Sequence, residues 1–321
     1  MAAGKIDKYT DDEREAFAFT PPFKRELSFD DPKLPYRSSK GQLRISLHHG
    51  QRKLLLSEIE FLTLFGRLSK NIVYAGAAPG FHIPLLAKLF SKHTFYLYDP
   101  ARFGITATAN IHIFQEYFTN EIASQLAESL PDLLFICDIR RPDDDPHKFE
   151  ENVLEDMTMQ MHWTQIMRPM KSMLKFRFPY HLTEIEYLDG RLFYQAWAPV
   201  KSGETRLVVD RDADVVTYSL KEYEDIIYRF NTVTRQQVFA VGSDVLKHTK
   251  RPRGFDGCYD CSAEVWILSR YLKTSDPEKI IYLMNMISTR CKRHLDTGYH
   301  GLIRGRTGWD RMVAAERIIN G

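Results

Sequence analysis

NIVYAGAAPGFHIPLLAKLF, Asn71 to Phe90, passes from an apolar run through a turn of small residues into a helical pattern, and this order decides the fold. IVYAG has the continuous apolar character of a strand buried on both faces. FHIPLLAKLF carries its proline in the first turn of a helix, where the missing N–H is tolerated. The turn lacks the Gly-Lys followed by Ser or Thr of a phosphate-cradling loop, and GAAPG lacks the GxGxxG spacing of a dinucleotide site. Gly76 and Gly80 let backbone approach a ligand closely, while Ala77, Ala78 and Pro79 keep the surface between them small and rigid.

Outward from this unit the pattern repeats. TFYLYDP predicts a second strand, IHIFQEYF another, NEIASQLAESL a helix and PDLLFICDIR a fourth strand. A helix follows over Phe149 to Met167, and SMLKFRFPY is a strand. Upstream, the spacing of Leu55, Ile59, Leu62 and Phe65 predicts a helix over 51–68. Downstream, GRLFYQAWAP and ETRLVVD are closely spaced strands of an antiparallel edge, followed by helices in LKEYEDIIYRFNTVTR, SAEVWILSRYLK and EKIIYLMNMISTRCKRHL. The expected fold is α/β and Rossmann-like, a mostly parallel central sheet with an antiparallel edge and helices on both faces. The expected organisation is an N-terminal arm over 1–40, a catalytic domain over 41–272 and a helical, basic extension over 273–321.

The chain has 321 residues, 44% of them hydrophobic, which suffices for a large core. A net charge of +2 does not advertise nucleic-acid binding, so any such surface must come from local clustering. No apolar run reaches the eighteen or so residues of a membrane span, and MAAGKIDKYTDDEREAF is charged where a signal peptide needs apolar residues, so a soluble intracellular protein is expected. Among the four cysteines only the CYDC pair, Cys258 and Cys261, has ligand-like spacing. No second pair completes a zinc site, so no metal is expected. Arg304, Arg306, Arg311 and Arg317 form a basic tail that reads first as a solvated terminus and second as a contact for RNA.

In a parallel sheet the ligand crevice lies beyond the carboxyl ends of the strands. Asp99 ends the second strand about twenty residues after the glycine turn, where a carboxylate accepts hydrogen bonds from both ribose hydroxyls. A small turn and a ribose-binding acid without a pyrophosphate loop suit an adenosine ligand lacking a phosphate, such as S-adenosylmethionine. Asp138 and Lys175 each end an apolar strand at the same crevice. Lys53 on the preceding helix and Glu204 at the start of ETRLVV complete a Lys-Asp-Lys-Glu set.

With that set the chain resembles the poxvirus cap-specific mRNA nucleoside 2'-O-methyltransferase family, whose members also serve as poly(A) polymerase stimulatory subunits. The resemblance runs in order through GQRKLLLSEIEFL, IVYAGAAPGFH, FICDIR, LKFRFPY, APVKSGETRLVV and EYEDIIYRFN, roughly residues 33 to 272. It implies that Lys53, Asp138, Lys175 and Glu204 are the catalytic tetrad of ribose 2'-O-methyltransferases. It also implies that Gln51, Gly76, Ala78, Pro79, Gly80, His82, Asp99, Arg102 and Asp138 hold S-adenosylmethionine. Tyr180 falls on an aromatic that stacks on the methylated guanine of the cap, and Glu224 on a carboxylate that binds the guanine edge. Lys201 stands where the family has a second stacking aromatic, with Trp197 or Phe29 as candidates for that place, and Leu182 stands where an acid is expected. A rival register would set Arg44 in the place of Lys53.

Arg177, Arg140, Arg141 and Lys201 lie near the expected crevice mouth, in reach of RNA phosphates. A ribose hydroxyl is a poor nucleophile, so the site must align it in line and help with its proton, the task expected of Lys175 as base or steering group. Burial and Lys53 favour a neutral amine there, and Asp138 and Glu204 an ammonium, so the sequence leaves the balance open. The resemblance implies conversion of cap-0 to cap-1 mRNA in the cytoplasm, in a viral factory or virion. It implies capped mRNA as substrate, a poly(A) polymerase catalytic subunit or capping enzyme as partner, and no membrane. The alternatives are an RNA-binding accessory subunit of such a complex, and 2'-O-methylation at another RNA position.

Overall fold

The computed structural model describes residues 23–37, 47–130, 132–199, 202–252 and 254–292. Lys201, Arg44 and the four arginines of the C-terminal tail lie outside the described residues. The strands are β1 (Glu26–Leu27), β2 (Asn71–Ala75), β3 (Thr94–Tyr98), β4 (Ile111–Phe114), β5 (Leu134–Cys137), β6 (Lys171–Phe176), β7 (Glu184–Leu188), β8 (Arg191–Phe193), β9 (Thr205–Asp210) and β10 (Val215–Ser219). The helices are α1 (Leu47–Phe65), α2 (Ile83–Leu89), α3 (Asn120–Ser129), α4 (Pro146–Met167), α5 (Leu220–Thr232), α6 (Ser243–Lys247), α7 (Tyr259–Leu272) and α8 (Pro277–Lys292).

Eight strands form one sheet in the order β1-β8-β9-β6-β5-β2-β3-β4. From β6 to β4 all pairs are parallel; β9, β8 and β1 are each antiparallel to the neighbour before them. This is the expected Rossmann-like order of a parallel core with an antiparallel edge. Successive residues of a strand face opposite sides, and all four residues of β5 are fully buried, so the sheet centre is covered on both faces. α3 packs against α4, while α1 packs against α7 and α8.

Local chemistry sets the helix starts. Thr119 accepts the amide of Ile122 ahead of α3, Asp145 accepts that of His147 ahead of Pro146 in α4, and Ser219 caps α5. α1 runs from Leu47 to Phe65 with a 3₁₀ turn over Gly66–Leu68, so the helical periodicity extends four residues upstream of the expectation.

The five-residue helix α6 was not foreseen, nor were two strand pairings. β7 and β10 pair as a separate antiparallel ribbon, with half-exposed residues that dilute the apolar signal in windows of five. Glu26 and Leu27, within the expected arm, pair with Phe193 and Leu192 and lengthen the sheet by a strand of two residues. The CYDC pair opens α7 with its sulfurs 3.5 Å apart, and burial pushes the Cys261 thiol up to about 12. Among the described residues no helix is long and apolar enough to cross a membrane.

The glycine turn has a constraint of its own. Gly76 adopts φ +81°, and a Cβ there would lie 2.7 Å from the Ile139 amide nitrogen and 2.8 Å from the Asp138 carbonyl carbon. The first glycine thus lets the chain leaving β5 cross close to the end of β2, where the Asp138 amide donates to Ala75 O at 3.0 Å. Gly76→Ala is expected to destabilise the fold by about 2 kcal/mol or more through the left-handed backbone and the overlap. Urea unfolding measures this; a loss below about 0.5 kcal/mol, the ordinary scatter of surface changes, would contradict it.

Candidate active site

The sequence-predicted tetrad converges. α1 brings Lys53, the end of β5 brings Asp138, β6 brings Lys175, and the residue before β9 is Glu204. Lys53 Nζ lies 2.5 Å from Glu204 Oε1, and Lys175 Nζ lies 3.2 Å from Asp138 Oδ1 and 3.8 Å from Glu204 Oε2. All four side chains are between 12 and 14% exposed, buried enough for charges to act strongly.

A fifth charge, which sequence reasoning missed, stands beneath them. Arg206 is 1% exposed, lies 2.7 Å from Asp138 Oδ1 and 3.4 Å from Glu204 Oε1, and its Nε donates to Gln195 Oε1 at 2.9 Å. The signal was available: residues two apart in a strand share a face, so Arg206 had to follow Glu204. The register then sets Arg206 opposite Lys175. Gln195, in turn, donates to Glu204 Oε1 at 3.0 Å. Gln160 on α4 was also missed; its side-chain amide exchanges bonds of 3.0 and 3.1 Å with the Lys175 backbone and pins that residue in place.

Three cations and two carboxylates share this site. Burial raises the Asp138 carboxyl, but Arg206 and Lys175 overcome it and hold the group below its ordinary value. Burial likewise opposes ionisation of Glu204, and Lys53, Lys175 and Arg206 together hold it well below the usual range. For Lys53, burial outweighs the pull of Glu204 and lowers the ammonium. Glu204 Oε1 is shared among Lys53, Gln195 and Arg206, and Asp138 is held more closely by Arg206 than by Lys175. Lys175 is therefore the least tightly engaged of the cations.

The expected cofactor residues surround the glycine turn. Asp99 accepts from the Ala78 amide at 3.0 Å and the Ala101 amide at 2.8 Å, and Gly80 adopts φ +70°. His82 is 2% exposed, with Nδ1 2.8 Å from Gln51 Oε1 and Nε2 2.8 Å from Glu58 Oε1. Tyr74 also donates to Glu58 Oε1, so Gln51 and His82 strap α1 to the turn through their side chains. Arg102 is exposed in the loop after β3, and Arg290 on α8 donates to the Phe81 carbonyl at 3.0 Å.

At the crevice mouth Tyr180 is 54% exposed, and the Arg177 guanidinium lies 4.3 Å from its ring centroid. Glu150 accepts from both the Arg177 guanidinium and the Tyr180 amide. Glu224 is half-buried on α5, with no partner among the described residues, and burial raises its carboxyl. Arg141 is held by Asp156 and Glu155, whereas Arg140 Nη2 and Arg177 Nη1 are buried without a hydrogen-bond partner among the described residues. Trp197 is not a stacking platform: it is fully buried and donates to Glu264 Oε2 at 2.7 Å beneath the Arg52 guanidinium. Phe29 is half-buried and packs against Tyr218, with ring centroids 5.8 Å apart.

A sequence model of the family described as poly A polymerase regulatory subunit matches residues 26–274. The chain belongs to that family. Among curated relatives of this family member, a myxoma virus (strain Lausanne) protein named cap-specific mRNA (nucleoside-2'-O-)-methyltransferase is 26% identical over 214 residues, covering 60% of this chain and 63% of its own length. A fowlpox virus (strain NVSL) protein of the same name is 27% identical over 222 residues, covering 59% of this chain and 68% of its own. The chain thus spans less than two thirds of the myxoma relative. The capping protein VP4 of bluetongue virus aligns at a TM-score of 0.45 and 13% identity, over 71% of this chain and 38% of that one.

The charge cluster predicts a pH dependence. A carboxyl depressed on folding contributes stability that is present above its unfolded value and lost as pH falls through its folded value. The melting temperature is therefore expected to drop as pH falls below about 4.5, the ordinary glutamate value, and to keep dropping to well below it. Glu204→Gln leaves Lys53 and Arg206 short of a carboxylate and is expected to cost about 3 kcal/mol near neutral pH. That difference shrinks toward acid pH; an equal difference at both ends of the titration would contradict the assignment.

Proposed function

We propose that the chain is a cap-specific mRNA 2'-O-methyltransferase that uses S-adenosylmethionine to methylate the first transcribed nucleotide, turning cap-0 into cap-1. The observation that carries the reading is the convergence of Lys53, Asp138, Lys175 and Glu204 at the carboxyl ends of β5 and β6. The names of the myxoma and fowlpox relatives agree with it.

The residues present fit the methyl donor. Asp99 uses one acceptor site on each oxygen for the turn, and a carboxylate offers about four, so capacity remains for two ribose hydroxyls. Gly76, Ala78, Pro79 and Gly80 present no long side chain, leaving room for an adenosine. When bound, the donor supplies a methyl group already activated by a sulfonium.

The chain's own task is then alignment and proton handling. Lys175 meets the 2'-hydroxyl, with its backbone held by Gln160 and its amine set by Asp138 and Glu204. Arg206 keeps both carboxylates ionised and in place, and Lys53 adds positive field where the hydroxyl develops negative charge. Tyr180 offers a ring face to the cationic guanine, and the unpartnered Glu224 carboxylate suits its N–H edge.

A second reading rests on the family description: an accessory subunit that binds RNA for a poly(A) polymerase catalytic subunit or capping enzyme. The two separate in one assay. Labelled methyl transfer is measured to matched short RNAs bearing a methylated cap-0, a cap-1 or a 5' triphosphate. Label on cap-0 alone is expected, with Lys175→Ala lowering the rate by about 100-fold or more while RNA binding persists. Label on cap-1 or triphosphate RNA moves the target to another nucleotide, and no label on any RNA leaves the accessory reading. Tyr180→Ala is expected to raise KM for capped RNA while leaving kcat little changed.

A further inference from the structure

A cavity of about 440 Å³ lies away from the tetrad, walled by the N-terminal segment, α1, β8 and α7. No tetrad residue lines it, and its size falls within the range of small-ligand sites. Four cations line it against two carboxylates: Lys24, Arg25, Arg191 and Arg270, with Glu26 and Glu60. Three of the cations are engaged. Arg25 forms a two-pronged pair with Glu60, Arg191 a two-pronged pair with Glu26, and Lys24 reaches Asp31.

Arg270 differs. Its guanidinium sits 5.2 Å from the Trp266 ring centroid and has no carboxylate partner among the described residues. On the wall formed by α1, Thr63 Oγ1 is buried without a hydrogen-bond partner. Phe23, Phe193 and the half-buried Trp266 give the cavity flat apolar walls. A ligand that suits this set is anionic at one point and flat elsewhere.

Its location narrows the ligand further. Phe193 stands opposite Arg206 in the β8–β9 register, so one wall of the cavity adjoins the strand that carries the buried arginine of the tetrad site. Along α1, Glu60 and Thr63 follow Lys53 by seven and ten residues, about 10 to 15 Å at the helical rise. That is a separation of a few nucleotides in an extended strand. We propose that this cavity takes one nucleotide of single-stranded RNA, its base against the aromatic wall and its phosphate on Arg270, as a second RNA contact outside the tetrad crevice. The inference rests on the reading of the chain as acting on RNA, and its chemistry is the arginine-and-aromatic recognition common to single-strand binders.

The test compares full-length wild type with Arg270→Glu and Trp266→Leu, using fluorescence anisotropy of a labelled single-stranded RNA of twelve or so nucleotides and a parallel titration with AMP. Arg270→Glu is expected to weaken RNA binding about fivefold or more and to lower the salt dependence by about 0.7 in log–log slope, one phosphate's share. Trp266→Leu is expected to abolish crosslinking of 4-thiouridine RNA to the α7 peptide. Methyl transfer to a capped dinucleotide, too short to reach the cavity, is expected to keep its kcat and KM in Arg270→Glu.

Unchanged RNA affinity and slope would overturn the proposal, with Arg270-dependent AMP binding assigning the cavity to a free mononucleotide and its absence pointing to a protein partner. Absence of methyl transfer in the wild type would instead defeat the enzyme reading, and the RNA affinities would still decide the cavity.

Discussion

A guanidinium buried to 1% exposure needs carboxylates within reach, and Arg206 finds two, Asp138 and Glu204, at the ends of different strands. Neither acid can leave without stranding it, and removal of one partner from such a pair is far costlier than the pair is stabilising. The spacing of β5, β6 and β9 at this end of the sheet is thereby tied to a charge balance. Lys53 and Lys175 enter a field already organised beneath them, which is what lets side chains from α1 and β6 meet.

Residues 197–199, which follow β8, rest on a second layer of buried ion pairs. Arg235 pairs with Asp260 and donates to the carbonyls of Ala198 and Pro199; Asp260 also accepts the Trp197 amide. Arg52 pairs with Glu264, between the rings of Trp197 and Phe255. Both carboxylates come from α7, so a helix remote in sequence holds residues 197–199 in place. Lys53 follows Arg52 directly, and one rotation of α1 serves both.

Much of the fold was legible because apolar runs and turn residues carry it: the βαβ order, the glycine turn and the antiparallel edge all stand in the local pattern. The β7–β10 ribbon and the two-residue β1 were not, because short strands with alternate exposed residues leave little periodic signal. In the site, Asp138 and Lys175 were reached by their places at strand ends, and Lys53 and Glu204 joined them through the set that resembles a family. Arg206 was legible in principle from strand alternation. Gln195, Gln160 and Glu150 were not, since each acts across long sequence separations through a single hydrogen-bonding group that any surface position could also carry.

Tyr180 shows how a half-exposed ring can be made ready before anything arrives. Glu150 fixes its backbone and the Arg177 guanidinium lies against one face, so the ring has surrendered much of its rotational freedom at folding. Only the opposite face remains for a flat ligand. A cationic ring docking there would share the tyrosine's π-electrons with a positive charge on the far side, a few ångströms through the ring. A ring backed by a guanidinium in this way would contrast charged and neutral planar ligands less sharply than one backed by hydrocarbon.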